Sequence, residues 1–248
     1  MVFYIVYRMS REDGNRTHIV RKLRSLRCVQ IHRSLWKISE NQIDHVLNIL
    51  KGKQTILLRR TRTIKKAKYS KNELEELGSL VIIAYKIPDE ASRKKVINFL
   101  KMAPCIRLCR SVYAFYQMHT QFDKEHELID VNAFYRFLQR FHGDAKIIPR
   151  IAVEDPESRE ILLDIVKNRV ENETSIIIKY CIKLHEIFKS GKKDSQWIQA
   201  TYKKLRIRAI KVRKISKFYD KWLMMNFSTS LARMYSCVHK LKKDLKIP

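Results

Sequence analysis

A chain of 248 residues, 45% of them hydrophobic, is long enough for two or three small domains and too apolar for wholesale disorder. Its 52 Lys and Arg against 25 Asp and Glu leave a net charge of +27, far beyond what solubility needs, and that much charge repels itself in a compact state. A thermophile-type surface mixes both signs and does not account for this imbalance; a polyanion partner does, nucleic acid first, an anionic membrane surface or an acidic protein after it.

No apolar run approaches the ~20 residues that span a bilayer. Met1 leads straight into a strand, so no signal peptide is read. The odd set Cys28, Cys105, Cys109, Cys181 and Cys237 is then expected to be reduced thiols in the cytoplasm. Cys105 and Cys109 have metal-like spacing but no second pair, and no zinc site is read there. Cys28 and Cys105 read as small core residues.

In chain order, the β-branched and aromatic run over residues 2–9 predicts a strand that ends at Ser10 to Asn15, with Gly14 in the turn. Residues 16–26 suit a helix with Ile19, Val20, Leu23 and Leu26 inward and Arg16, Arg21, Lys22 and Arg24 outward. Residues 28–38 read as one strand, with Val29, Ile31, Arg33 and Leu35 on one face and Cys28, Gln30, His32, Ser34 and Trp36 on the other. A helix from about Glu40 to Leu50 follows, with Ser39 as its N-cap. Gln54 to Arg60 is a third strand.

Residues 61–78 read as a basic linker. Arg59, Arg60, Arg62, Lys65, Lys66, Lys68 and Lys71 fall within 13 positions, as a solvated face or a polyanion contact, and Glu73 to Leu77 suggests a helical turn before Gly78.

The chain then repeats itself. Phe3 to Met9 matches Val81 to Ile87, and Ile19, Val20 and Leu23 match Val96, Ile97 and Leu100. The string from Cys28 to Trp36 returns as Cys105 to Tyr113, 77 residues later, with Cys, Arg and Ser in place and an aromatic at the end. Helix 90–102 stops at Pro104. Val131, Phe134, Phe137, Leu138 and Phe141 sit at helical spacing before a strand at Ile147-Ile148. Each copy reads strand, helix, strand, helix, strand, with room for one more strand in the second loop: the split β-α-β, ferredoxin-like pattern. The polar insert Gln117 to Asp130 holds His119, Asp123 and His126, which read as a solvated loop before a metal cluster.

Asp155-Pro156 closes this part. Residues 157–248 fit three helices, at 157–189, 195–222 and 226–245, the first breaking near Glu171-Asn172. In the second, Leu205, Ala209, Val212, Ile215, Tyr219 and Trp222 form an apolar stripe, core or partner-facing. Lys203, Lys204, Arg206, Arg208, Lys211, Arg213, Lys214 and Lys217 put eight cations in 15 residues with no acid among them. They read as a rail for nucleic acid ahead of a solvated helix face.

The strings Tyr4-Ile5-Val6-Tyr7 and Arg33-Ser34-Leu35-Trp36, with their second copies Ala84-Tyr85-Lys86-Ile87-Pro88 and Arg110-Ser111-Val112-Tyr113, resemble two related families. One is the N-terminal domain of chromate-resistance transcriptional regulators; the other is the small CRISPR-associated ferredoxin-fold protein of the spacer-integration complex. The resemblance covers both copies and reaches loosely into Leu205 to Ala232. It implies an α+β fold: two tandem ferredoxin-like domains, residues 1–60 and 79–155, joined by the linker and followed by an all-helical region, 156–248. It also implies an intramolecular pseudo-dimer of the two copies, with duplex DNA across it held by its backbone.

The departure lies at the end of the first strand. There the CRISPR family carries an Asp whose pair across the dimer holds a divalent metal, whereas this chain has Arg8 and Lys86, which cannot ligate a cation. Asp13 and Asp89 stand nearby as single carboxylates with basic neighbours. No P-loop, glycine-rich fingerprint or Ser/His/Asp spacing is present. The expected function is therefore non-catalytic nucleic-acid binding, as a transcription regulator or architectural factor, without cofactor or metal and with no membrane partner. DNA is favoured over RNA by the resemblance. The contacts are expected from Arg16, Arg21, Arg24, Arg33, Arg59, Arg60, Arg62, Lys65, Lys66, Arg93, Lys94, Lys95, Arg110, Lys203, Lys204, Arg206, Arg208, Lys211, Arg213 and Lys214. Trp36 and Tyr113 read as core or seam residues ahead of base-stacking ones. The alternatives are a nuclease of the same superfamily, using Asp13 or Asp89, and an adaptor that docks a protein through its C-terminal helices.

Overall fold

The computed structural model of the chain describes residues 1–9, 16–71, 73–117, 128–191 and 194–245. The expected turn at Ser10 to Asn15, with Asp13, and the insert residues His119, Asp123 and His126 fall outside them. The chain forms two compact units, Met1–Ile165 and Val166–Pro248.

The first unit is α+β. It opens with β1 (Val2–Arg8), α1 (Arg16–Ser25), β2 (Val29–His32), β3 (Leu35–Ser39), a 3-10 turn (Glu40–Gln42), α2 (Ile43–Ile49) and β4 (Gln54–Arg60). A separate hairpin, β5 (Lys68–Ser70) and β6 (Glu73–Glu76), intervenes. Then come β7 (Leu80–Lys86), α3 (Glu90–Leu100), β8 (Cys105–Cys109), β9 (Val112–Tyr116), α4 (Val131–Gln139) and β10 (Asp144–Val153). Eight strands form one sheet in the order β2-β3-β1-β4-β10-β7-β9-β8, every neighbour antiparallel. Each half of the sheet thus runs fourth, first, third, second strand, and the halves join through their fourth strands.

β1 and β7 are buried along nearly their whole length, which is why they read as unbroken apolar runs and not as alternation. One face of each packs on helices. Phe3, Ile5 and Tyr7 meet Ile19, Leu23 and Val46, while Ile83 and Tyr85 meet Val96, Leu100, Phe134 and Leu138. Each fully buried Leu or Ile contributes roughly 1.5–3 kcal/mol. β1 also lies against β8 and β2 against β7, so the opposite faces of the two half-sheets cover each other.

Several expectations are corrected. Residues 28–38 do not form one strand. The chain turns back at Arg33-Ser34 between β2 and β3, and again at Arg110-Ser111 between β8 and β9. This hairpin supplies the extra strand of each half, so the face alternation read across it fails: Leu35 and Trp36, neighbours in sequence, are both fully buried. Glu73–Glu76 is a strand, not a helical turn, because Glu73, Leu74 and Glu76 pair with Ser70, Tyr69 and Lys68. Gly78 is required beside it: at φ +77° a Cβ would stand 2.7 Å from the Ala67 nitrogen. Residues 1–60 and 79–155 are not separate bodies, since β10 pairs with β7 through Asp144 to Ile148 and then with β4 through Ile151 to Val153. The bend falls at Pro149-Arg150, where proline has no N–H for a ladder and Arg150 takes φ 59°.

The second unit is helical. α5 (Pro156–Lys189) begins in the first unit, with Pro156 at its first position and Asp155 accepting from the Ser158 N–H. It runs through Glu171-Asn172 without the expected break. α6 (Ser195–Leu223), capped by Asp194, and α7 (Ser228–Asp244) complete the unit. Ile177, Cys181 and Leu184 of α5 pack with Leu205, Ala209 and Val212 of α6 and with Met234, Val238 and Leu241 of α7. The whole stripe from Leu205 to Trp222 is buried.

Candidate nucleic-acid interface

Three groups of cations emerge, two in the first unit and one in the second. The first lies where the half-sheets meet. The hairpin turns there are held in matching ways: the Tyr7 N–H donates to the Ser34 carbonyl at 3.2 Å and the Tyr85 N–H to the Ser111 carbonyl at 3.0 Å. The turns present Arg33 and Arg110. Arg16 and Arg93, also 77 positions apart, stand at the starts of α1 and α3. The structure brings these four together. Burial and then the charges of Arg110, Arg16 and Arg93 hold the Arg33 guanidinium below its ordinary range. Arg8 is lowered by burial and by Arg107. Only Arg93 has a carboxylate partner among these six, Glu90 at 2.7 Å, as judged among the described residues.

Among the described residues, Glu90 is the one carboxylate paired with these arginines. Burial pushes the Cys109 thiol up to about 11 despite Arg107, Arg16 and Arg8 beside it, so it stays protonated and neutral near neutral pH. His32, which meets the Tyr85 backbone, is held below its ordinary value chiefly by burial and is neutral there as well. Three buried polar atoms of this region, the Tyr7 hydroxyl, His32 Nδ1 and Trp36 Nε1, have no hydrogen-bond partner of ordinary geometry among the described residues. Trp36 and Tyr113 are buried, the latter stacked on Tyr85 at 6.1 Å, and neither is placed to stack on a base.

The second group surrounds a cleft of about 650 Å³ lined by Arg59, Arg60, Arg62, Lys65 and Arg150 together with Met1, Val2, Thr61 and Thr63. Arg150 was not foreseen. It enters because the β10 bend turns its guanidinium to the Arg62 carbonyl at 2.9 Å. Two of the expected contacts are already engaged: Arg59 pairs with Glu154 at 2.5 Å and Lys65 with Glu76 at 3.7 Å. Arg60, Arg62 and Lys66 are exposed. Arg21, Arg24, Lys94 and Lys95 lie on the outer faces of α1 and α3, with Lys95 over the Phe141 ring at 5.7 Å.

The third group is the α6 rail. Lys203, Lys204, Arg206, Lys211, Arg213, Lys214 and Lys217 are all exposed, because the stripe turns the opposite side of the helix inward. Arg208 is half-buried: its guanidinium holds Glu173 at 2.6 Å, so it is a packing residue.

Asp89, the nuclease candidate within the described residues, caps α3 by accepting from the Ser92 N–H at 2.7 Å, and that bond holds its carboxyl below its ordinary value. Among the described residues no three His, Cys, Asp or Glu side chains group closely enough to share a metal ion, and no helix is long and apolar enough to cross a membrane. Arg8, Arg107 and Arg150 are the basic residues that sequence reasoning left out of the interface. Arg107 carried a signal, as the one charged position in an otherwise apolar strand. Comparison with known proteins finds no family model, no curated protein and no solved structure that matches this chain.

Proposed function

We propose that this chain is a non-catalytic nucleic-acid-binding protein that grips the phosphate backbone, as a DNA-binding transcription regulator or architectural factor. In this reading its sheet is two ferredoxin-like repeats paired within one chain. The doubled order of fourth, first, third and second strand supports that. DNA ranks above RNA through the family resemblance of the two copies.

The observation that carries the reading is the seam. The two copies of the repeat deliver Arg16, Arg33, Arg93 and Arg110 to one place, where the other three bear on Arg33 and only Arg93 has a carboxylate partner among the described residues. Like charges assembled at such expense are explained by an external anion whose binding releases that repulsion, and phosphates bound by Arg release counterions besides. The exposed face of α6 adds a second, sequence-independent stretch of cations.

The test is filter binding of the full chain to duplex DNA, single-stranded DNA and RNA over a salt titration, with the nucleic acid run on a gel afterwards. Log affinity should fall steeply with log salt, by about 0.9 per neutralised duplex phosphate, and the strands should stay intact. Absence of binding at low salt would end the proposal, and Mg²⁺-dependent fragments would replace it with the nuclease reading.

A further inference from the structure

We propose that the groove between α5 and α6 in the second unit binds an acidic amphipathic helix of a partner protein. The groove has a volume of about 520 Å³. Its floor is aliphatic, made by Leu184, Ile187 and Leu205. Two large rings stand at its edge and remain open to solvent: Tyr180 is 54% exposed and Trp197 40%. Lys183 and Lys204 rim it, and neither has a carboxylate partner among the described residues.

The occupant follows from this lining. α5 and α6 form a two-helix layer, and α7 packs on one side of it through Met234, Val238 and Leu241. The groove lies along the same pair of helices. A third helix laid into it would place apolar side chains at i, i+3/i+4 and i+7 on the aliphatic floor, the ordinary helix-in-groove mode. A single nucleic-acid strand suits it less, because bases would stack only on the two rings at the edge and leave the aliphatic floor of Leu184, Ile187 and Leu205 without partners for their polar edges. The charge of the occupant follows from the rim: two lysines on a strongly basic chain repel a basic helix and steer an acidic one.

The experiment is fluorescence anisotropy of the full chain with a labelled peptide carrying Leu at every third or fourth position and Glu between. The controls are its scrambled version, a version with Lys for Glu, and labelled oligo-dT. The parent should bind the acidic amphipathic peptide, and Tyr180→Glu and Trp197→Glu should each weaken it about tenfold or more. Thermal melts of both variants separate a loss of binding from a loss of folding, and Tyr180→Glu, the more exposed position, should hardly move the melt. Equal binding of the scrambled peptide, no loss in either variant, or displacement by oligo-dT that depends on Tyr180 and Trp197 would each overturn the proposal. Duplex binding measured on the same two variants is expected to stay at the parental level. A failure here is therefore read apart from a failure of the nucleic-acid reading.

Discussion

The seam arginines and the α6 cations carry the same sign of charge under different conditions. Arg33 is half-buried and held below its ordinary range by burial and by three other arginines. Those on α6 stand exposed along one side of a helix. The seam places Arg33 partly out of water among like charges, whereas the α6 cations keep to the surface. On the proposed reading, charge kept where it is costly is placed for a ligand, whereas charge at the surface is equally compatible with solvation.

The sharpest break of this comparison is the pair Arg33→Gln with Arg110→Gln. Charge-assisted hydrogen bonds contribute roughly 1.5–3 kcal/mol each, so with two removed duplex affinity should fall by about a hundredfold or more. The log–log salt slope should drop by about 1.8, two phosphate contacts' worth. The melting temperature should rise, because like charges have been separated. Replacing Lys203, Arg206 and Lys217 together by Gln should lower the slope as well while leaving the melt in place. A seam variant that melts earlier, or one whose salt slope is unchanged, would remove the distinction.

Arg208 lies between the two cases, on the basic helix but bound to Glu173. Arg208→Ala should cost roughly 1–2 kcal/mol in denaturant unfolding and change duplex affinity little; the opposite pattern would return it to the rail. His32 gives the pH side of the seam. Its folded value lies below the ordinary 6.5, so its contribution is full above about pH 6.5 and is lost as the pH falls through the lower folded value, where the protonated ring must be buried beside cations. Melts between about pH 5 and 8 should show an acid limb that His32→Asn flattens; equal limbs in both proteins would assign the loss to other groups. Smallest is Ser111→Gly. Ser111 takes φ 63° in the β8–β9 turn, a region that suits glycine. The change should stabilise by up to about 1 kcal/mol without altering affinity, and a loss of stability would show that the Ser111 side chain matters more than its backbone.

Much of this fold was legible. The continuous apolar runs at Phe3 to Tyr7 and Val81 to Tyr85 announced strands buried on both faces, and the three C-terminal helices fall within a few residues of their periodicity. The hairpins at Arg33-Ser34 and Arg110-Ser111 were not legible, because neither turn carries Gly, Asn or Pro and the alternation reads straight through them. Nor were the ion pairs. Arg59 finds Glu154 at a separation of 95 residues and Arg208 finds Glu173 at 35, distances over which no local pattern speaks. The seam cations could be picked out singly, but that Arg16, Arg33, Arg93 and Arg110 converge depends on how the half-sheets cover each other.

The pairing of β4 with β10 has a kinetic and evolutionary side. Two separate chains joined edge to edge would fall apart on dilution. Here the edges are tethered by the segment between β4 and β7, so their encounter is intramolecular and independent of how many copies a cell holds. A seam that never needs a second molecule is also free of the symmetry an identical pair imposes. Its two sides can drift apart, as the matching positions of the two copies, His32 and Cys109, Arg8 and Lys86, Trp36 and Tyr113, differ. One end of a bound anion can then be gripped differently from the other, and an asymmetric ligand can be held in one orientation.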